Sequence, residues 1–330
     1  VSQLIADYFR ELVDKTGQGW NRFWYWPSDA LPLGILRAVT GLFALYWLIS
    51  FTPDLVRFFG PTGLLPADAV AEFRGTWFGF SYLNLMSSPG ELMGVHWAGV
   101  LVLLAFTLGI YARISAILAL IVVLSYMHRA PMITSQFEPV LAMVMFYLCL
   151  GPCGDFCSID AWLAKRKQPQ PLPSKHKTSA TVVLRLLQVH LALIYFSMAL
   201  AKMGGDAWIS GEATWWLAAR PESRMVDLTG VLQPYPRLVS GWSNLILVFE
   251  FLFPVLVWPR LTRPMVLAWS VLHWTGLALL TGNAPWCGLM LAAGIAFVPG
   301  EVLRAMVGQS PSASNSATVA EGRRQPVASR

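Results

Sequence analysis

The chain has 330 residues, of which 55% are hydrophobic and 13% charged, with a formal net charge of +6. A soluble domain carries roughly 25% charged residues, so this balance excludes a water-facing globular chain, and the mean hydropathy of +0.53 agrees. The basic residues sit in short loops and tails, where they read as determinants of membrane topology and not as a nucleic-acid surface. The 15 Trp suit a protein with two membrane interfaces, with some left over for a pocket. The four cysteines, Cys149, Cys153, Cys157 and Cys287, form no disulfide framework. The first three, spaced i, i+4, i+8, are expected to stripe one helix face as packing, and no metal is expected.

In chain order, residues 1–30 form an amphipathic N-terminal segment. Its opening, VSQLIADYFRELVDK, has no signal-peptide pattern and reads as an interfacial helix. It ends in the aromatic cluster Trp20, Phe23, Trp24, Tyr25 and Trp26. Residues 31–302 are expected to form an all-α polytopic bundle of about eight transmembrane helices. The apolar runs are 31–51, 92–110, 112–127, 138–152, 180–201, 243–258, 264–281 and 284–299. The fourth and eighth are short for a hydrocarbon core of about 30 Å, as tilted, buried or re-entrant helices are. The long connections 52–91 and 203–242 are too aromatic for slack linkers, so short helices lying on the membrane or capping a cavity are expected there. Residues 165–178 are a basic, Pro-rich linker, and 303–330 read as a disordered cytoplasmic tail.

With that linker in the cytoplasm, alternate counting places Arg10, Lys15, Arg22, Arg113, Arg260, Arg263, Arg304, Arg323, Arg324 and Arg330 on the same side. The opposite side holds Arg57, Arg74, Arg129, Lys202, Arg220, Arg224 and Arg237, although its loops are longer. The bias predicts a multi-pass inner-membrane protein with both termini cytoplasmic.

Ionisable groups at membrane depth are costly, so each is a functional candidate. Arg37 and Arg185, near the cytoplasmic side, read as structural groups that snorkel or pair with acceptors such as Gln188 or Glu250. His190 joins them as a structural polar residue. Glu250 and His273, on neighbouring spans at similar depth, are expected to form a hydrogen-bonded pair, either as structural glue or as a proton relay. His128, Arg129 and Glu138 lie at outer span ends. Lys202 closes a long apolar span ahead of Trp208, Gly211, Trp215 and Trp216. It is either an interfacial lysine or, under that tryptophan roof, a desolvated amine able to act as a general base. An acid beside it would raise its pKa and oppose that role.

The segment IYFSMALAKMGGDAWISGEA (194–213) resembles the signature of the HTTM (horizontally transferred transmembrane) family, the bacterial relatives of vitamin K-dependent gamma-carboxylase. Tyr195, Lys202, Trp208 and Gly211 carry the match. Other pieces follow in the same order: LRAVTGLF around Arg37, FGPTGLLP at 59–66, YMHRAP at 126–131, FCSIDAW at 156–162, RLLQVHLALIY at 185–195, then Glu250, Pro254 and His273. The resemblance implies oxygenation of reduced vitamin K or menaquinone, with O2 and CO2 as co-substrates, and with Lys202 as the base. It further implies His273 and Glu138 as catalytic groups, and Tyr195, Trp208, Gly211, Glu250, Arg129 and His128 as quinone- or substrate-binding residues.

Two departures qualify the expectation. The family's catalytic histidine would fall at Phe137-Glu138, so either Glu138 substitutes for it or the carboxylation half-reaction is lost. The residues after the eighth span are too few for a large substrate-holding domain, which favours a small-molecule or quinone role over a tethered peptide substrate. A non-catalytic quinone- or lipid-binding protein or partner subunit is the alternative. A transporter is a third reading, permitted by the intramembrane charges but without paired broken helices in repeated halves.

Overall fold

The computed structural model describes residues 2–61, 63–75, 79–167, 176–222 and 224–306. Those residues are mostly helical with almost no strand, and the chain is an all-α polytopic membrane bundle. In chain order the helices are α1 (Ser2–Tyr25), α2 (Leu31–Ser50), α3 (Leu55–Phe59), α4 (Ala67–Arg74), α5 (Pro89–Leu108), α6 (Ala112–Arg129), α7 (Phe137–Leu150) and α8 (Ile159–Lys167). There follow α9 (Thr178–Met203), α10 (Asp206–Ile209), α11 (Ala213–Ala218), α12 (Thr229–Leu232), α13 (Pro236–Leu256), α14 (Arg263–Thr281), α15 (Ala284–Ala293) and α16 (Gly300–Met306). A two-residue antiparallel pairing joins Ser28 to Lys177 and Asp29 to His176, tying the start of α2 to the start of α9.

Local chemistry explains several helix starts. Proline in the first turn opens α2, α5, α13, α14 and α15, where its missing N–H costs nothing. At α5 the Ser88 hydroxyl accepts from the Glu91 amide, and the Glu91 carboxylate accepts from the Ser87 amide. At α6 the cap comes from far along the chain: Asp160 accepts from the Tyr111 amide at 3.0 Å and the Ala112 amide at 2.8 Å.

Among the described residues, six helices are long and apolar enough to cross a membrane: Leu31–Phe59 taken through α3, then α5, α6, α9, α13 and α14. Their outer faces carry exposed Leu101, Ile114, Val255, Met265 and Leu272, the surface a lipid-facing bundle presents. The expected fourth and eighth spans are α7 and α15, of 14 and 10 residues. At 1.5 Å per residue these are about 21 Å and about 15 Å long, short of a core of about 30 Å. α15 continues through a 3₁₀ turn, Gly294–Phe297, and then bends by 113° into α16. Both short helices are mostly buried, packed on each other and on α2, so protein rather than lipid surrounds them. The described residues thus hold six helices long enough to cross, or seven if the bent pair α15–α16 is one span, with α7 and α15 short as the fourth and eighth runs led us to expect.

The helices alternate between two ends. One end gathers Asp29, the turn after α7 at Gly151–Ser158, the α13–α14 connection and α16, as the Asp29–Arg304 ion pair and the Trp258–Phe297 contact require. The opposite end holds the long connections. As expected, these fold into short helices: α3, α4 and a 3₁₀ turn at Tyr82–Leu85 in one, α10, α11 and α12 in the other. The order long helix, aromatic connection, two long helices, short buried helix occurs twice, in α2 to α7 and in α9 to α15.

The cysteine stripe is not formed. α7 ends at Leu150, so Cys153 falls in a turn and Cys157, exposed, adopts a positive φ of 53° outside any helix. The linker core and the expected disordered tail lie largely outside the described residues, which omit 168–175 and 307–330.

Candidate functional site

Three helices bring Lys202, Glu250 and His273 together near the end of the bundle opposite Asp29. Lys202 lies in the last turn of α9, Glu250 on the inner face of α13 and His273 midway along α14. The Lys202 ammonium donates to both Glu250 oxygens, at 2.8 Å to Oε1 and 2.6 Å to Oε2. The Glu250 side chain is fully buried, whereas that of Lys202 keeps 20% exposure. His273 Nε2 stands 3.5 Å from Glu250 Oε1, beyond hydrogen-bond length, and has no hydrogen-bond partner among the described residues. One turn further on, Pro254 lacks the N–H that would bond the Glu250 carbonyl.

Aromatic rings wall the triad. Lys202 Nζ lies 5.2 Å from the centre of the Trp208 ring, within cation–π range. His273 packs on Phe249 at 4.4 Å and edge-on to Trp274 at 4.8 Å. The Trp274 indole donates to the Tyr195 hydroxyl at 2.7 Å, and Tyr195 stacks on Phe253 at 3.8 Å. The expected tryptophan roof is narrower than its sequence suggested. Trp208 alone meets Lys202, while Trp216 is exposed and Trp215 packs in a separate cluster with Ala218, Leu232 and Val239. Gly211, at φ 78°, lets the segment press on α13, because a side chain there would strike Ser240.

The expected pairing of Glu250 with His273 is thus present only as proximity; the strong partner of Glu250 is Lys202. The acid beside Lys202 is Glu250 and not Glu138. Glu138 accepts from the Trp47 indole at 3.0 Å and from the Ser135 amide and hydroxyl at 2.8 and 2.7 Å. Nothing joins it to the triad among the described residues.

The remaining candidates hold the scaffold. Arg129 donates to the Leu65 carbonyl at 2.7 Å and the Gly60 carbonyl at 3.2 Å, so YMHRAP clamps FGPTGLLP. His128 meets the Phe80 carbonyl at 3.0 Å. Arg37, fully buried, donates to the Cys157 carbonyl, joining LRAVTGLF to FCSIDAW. Arg185 donates to Gln188 at 2.9 Å and to the Phe23 carbonyl at 3.1 Å, while Glu250 is engaged elsewhere. His190 is exposed and pairs with the Tyr147 hydroxyl at 3.0 Å.

One buried polar group escaped the sequence reading. His96, inside α5, lies between the Thr52 hydroxyl at 3.0 Å and the Tyr126 hydroxyl at 2.8 Å. The rule that flagged His273, an ionisable group in an apolar run, applies equally to His96 in MGVHWAGV.

Fold and site together define a polytopic helical membrane protein with a Lys–Glu–His cluster, buried at Glu250 and His273, in an aromatic setting. No family model, curated protein or solved structure matches the chain.

Proposed function

We propose that the chain is a quinol-dependent oxygenase of the vitamin K-dependent carboxylase kind, lying in the bacterial inner membrane with both termini cytoplasmic and Lys202 on the extracytoplasmic side. The observation that supports it most is a partly exposed Lys202 amine set against the Trp208 ring face, with the buried Glu250 carboxylate bound to it. The role proposed for Lys202 is to take a proton from a bound hydroxyl, with Glu250, 2.6 Å away, as its partner in that transfer. His273 stands 3.5 Å from the same carboxylate without a hydrogen bond to it, which leaves its Nε2 open to a bound group.

Reduced vitamin K or menaquinone supplies an acidic hydroxyl on a flat ring and, once deprotonated, reactivity towards O2. The residues fit such a group. Lys202 is partly reachable, Trp208 offers a ring face beside it, and His273 Nε2 is buried without a hydrogen bond. CO2 addition would follow only if an acceptor reaches the site. Glu138, the stand-in for the family's histidine, is bonded to Trp47 and Ser135.

The test uses purified protein in nanodiscs with reduced vitamin K or menaquinone, O2 and labelled bicarbonate, following epoxide and label uptake. Lys202→Arg keeps a cation against Glu250 but cannot act as a neutral base. It should stay folded and lose about 100-fold or more in epoxide formation, the usual worth of a general base. Undiminished epoxide in Lys202→Arg removes Lys202 from that role. Label in an acceptor adds carboxylation.

The second reading, a non-catalytic quinone- or lipid-binding protein or partner subunit, is favoured by the bidentate closure of Lys202 by Glu250. Bound quinol without turnover in the wild type would establish it.

A further inference from the structure

A cavity of about 460 Å³ opens at the end of the bundle remote from Lys202, between the last turns of α1, the first half of α9, the α13–α14 connection and residues 296–300. Arg22, Arg185, Arg260 and Arg263 line it. Arg185 and Arg263 are close enough to act on each other's charge, as are Arg263 and Arg260. The one carboxylate in the lining is Asp29, and it is already taken. Arg304 binds it through Nε at 2.5 Å and Nη2 at 2.9 Å, and the Leu31 amide donates to it at 3.0 Å.

The two inner guanidinium groups are held in place by acceptors that carry no charge. Arg263 donates from Nε to the Val257 carbonyl at 3.0 Å and from Nη2 to the Trp258 carbonyl at 2.7 Å. Arg185 donates from Nε to the Phe23 carbonyl and from Nη1 to Gln188, whose own amide is anchored on the Ala296 carbonyl at 2.6 Å. Among the described residues, Arg185 Nη2 and Arg263 Nη1 have no hydrogen bond. The arrangement therefore presents oriented, unneutralised donors around a small cavity, which matches a tetrahedral oxyanion with several acceptor oxygens.

The location narrows the source of that anion. α1 exposes Ile5, Tyr8, Phe9 and Leu12, spaced i, i+3, i+4, i+7, so one face of the helix is apolar and unpartnered within the chain. Such a helix lies in the plane of a membrane interface. Its last turns, with Arg22 and Phe23, and Trp26 just beyond them form the cavity rim, so the opening stands at headgroup level.

We infer that this cavity binds the phosphate group of an anionic ligand at the membrane surface, held by Arg22, Arg185, Arg260 and Arg263. A basic pocket between membrane helices is a recurrent form of headgroup recognition.

The test compares the full chain in phosphatidylcholine nanodiscs with and without phosphatidylglycerol, reading the lipid retained on the protein by native mass spectrometry. A parallel titration adds inorganic phosphate to the detergent-solubilised protein and reads its unfolding midpoint. The variants are Arg22→Gln and Arg260→Gln, both exposed residues with no structural hydrogen bond among the described ones. Arg57→Gln, at the other end, is the control. Selective retention of phosphatidylglycerol should weaken about five-fold for each arginine removed and stay unchanged in the control. Arginine-dependent stabilisation by inorganic phosphate alone supports the site and assigns it to a soluble phosphate. Equal retention in wild type and variants with no effect of phosphate, or no preference for either anion, overturns the assignment.

Discussion

Breaking a buried ion pair leaves an uncompensated charge, so the loss exceeds what the intact pair contributes. Glu250 is fully buried and, among the described residues, both of its hydrogen bonds come from Lys202. Lys202→Met should therefore destabilise the protein by about 3–5 kcal/mol, read by chemical unfolding in detergent. The double variant Lys202→Met/Glu250→Leu should recover most of that loss, whereas simple additivity would show that the two do not act as a unit. A second prediction concerns the turn after α7. Burial pushes the Cys153 thiol up to about 11, so near neutral pH it is not a thiolate and iodoacetamide should modify exposed Cys157 while sparing Cys153. Equal labelling of the two in the folded protein would contradict that burial. At this scale the sequence identified Lys202, Glu250 and His273 individually, because a titratable group in an apolar run is conspicuous. It set Glu250 beside His273, which lies 3.5 Å away, and missed Lys202 as the closer partner. Partners on different helices depend on helix rotation and depth, and a uniform apolar run records neither.

The helices themselves were legible as apolar runs bounded by Pro, Gly and aromatic clusters. Their packing was not. α2 and α5 meet so closely at Gly41 that a side chain there would overlap the Thr107 backbone and hydroxyl. Small residues allow such approach between membrane helices, where van der Waals contact replaces a hydrophobic driving force. Gly41→Leu should cost about 1–3 kcal/mol or more through overpacking, seen as a lowered unfolding midpoint. Gly90→Leu, a position open to its surroundings, should be tolerated. An equal response at both sites would mean that the α2–α5 contact is not close. The short lengths of α7 and α15 were also visible in the sequence. Their central burial, which makes a length below the membrane thickness acceptable, depends on neighbours supplied by both halves of the chain.

For the whole molecule, the alternation of helix ends makes a prediction independent of any chemistry. Cys157 lies at the Asp29 end and Ser210 at the Lys202 end, and both are exposed. In sealed vesicles, single-cysteine variants carrying either Cys157 or Ser210→Cys should react with a membrane-impermeant maleimide from opposite sides. Labelling of both from the same side would break the alternation. The same layout separates the proposed proton-handling site from the arginine-lined cavity, so each can be tested without disturbing the other.

Composition and the spacing of apolar runs by themselves determined that this is a helical, multi-pass membrane protein. Hydropathy integrates over some twenty residues, and only helices satisfy their own backbone in lipid. The lone charges in those runs marked Arg37, Arg185, Lys202, Glu250 and His273 as important for the same reason. Only the tertiary structure decided that Glu250 serves Lys202, that Glu138 serves Trp47 and Ser135, that Arg129 clamps a loop, and that four arginines from three segments converge on one cavity. Those outcomes rest on contacts between residues tens to hundreds of positions apart, set by which helix faces pack together.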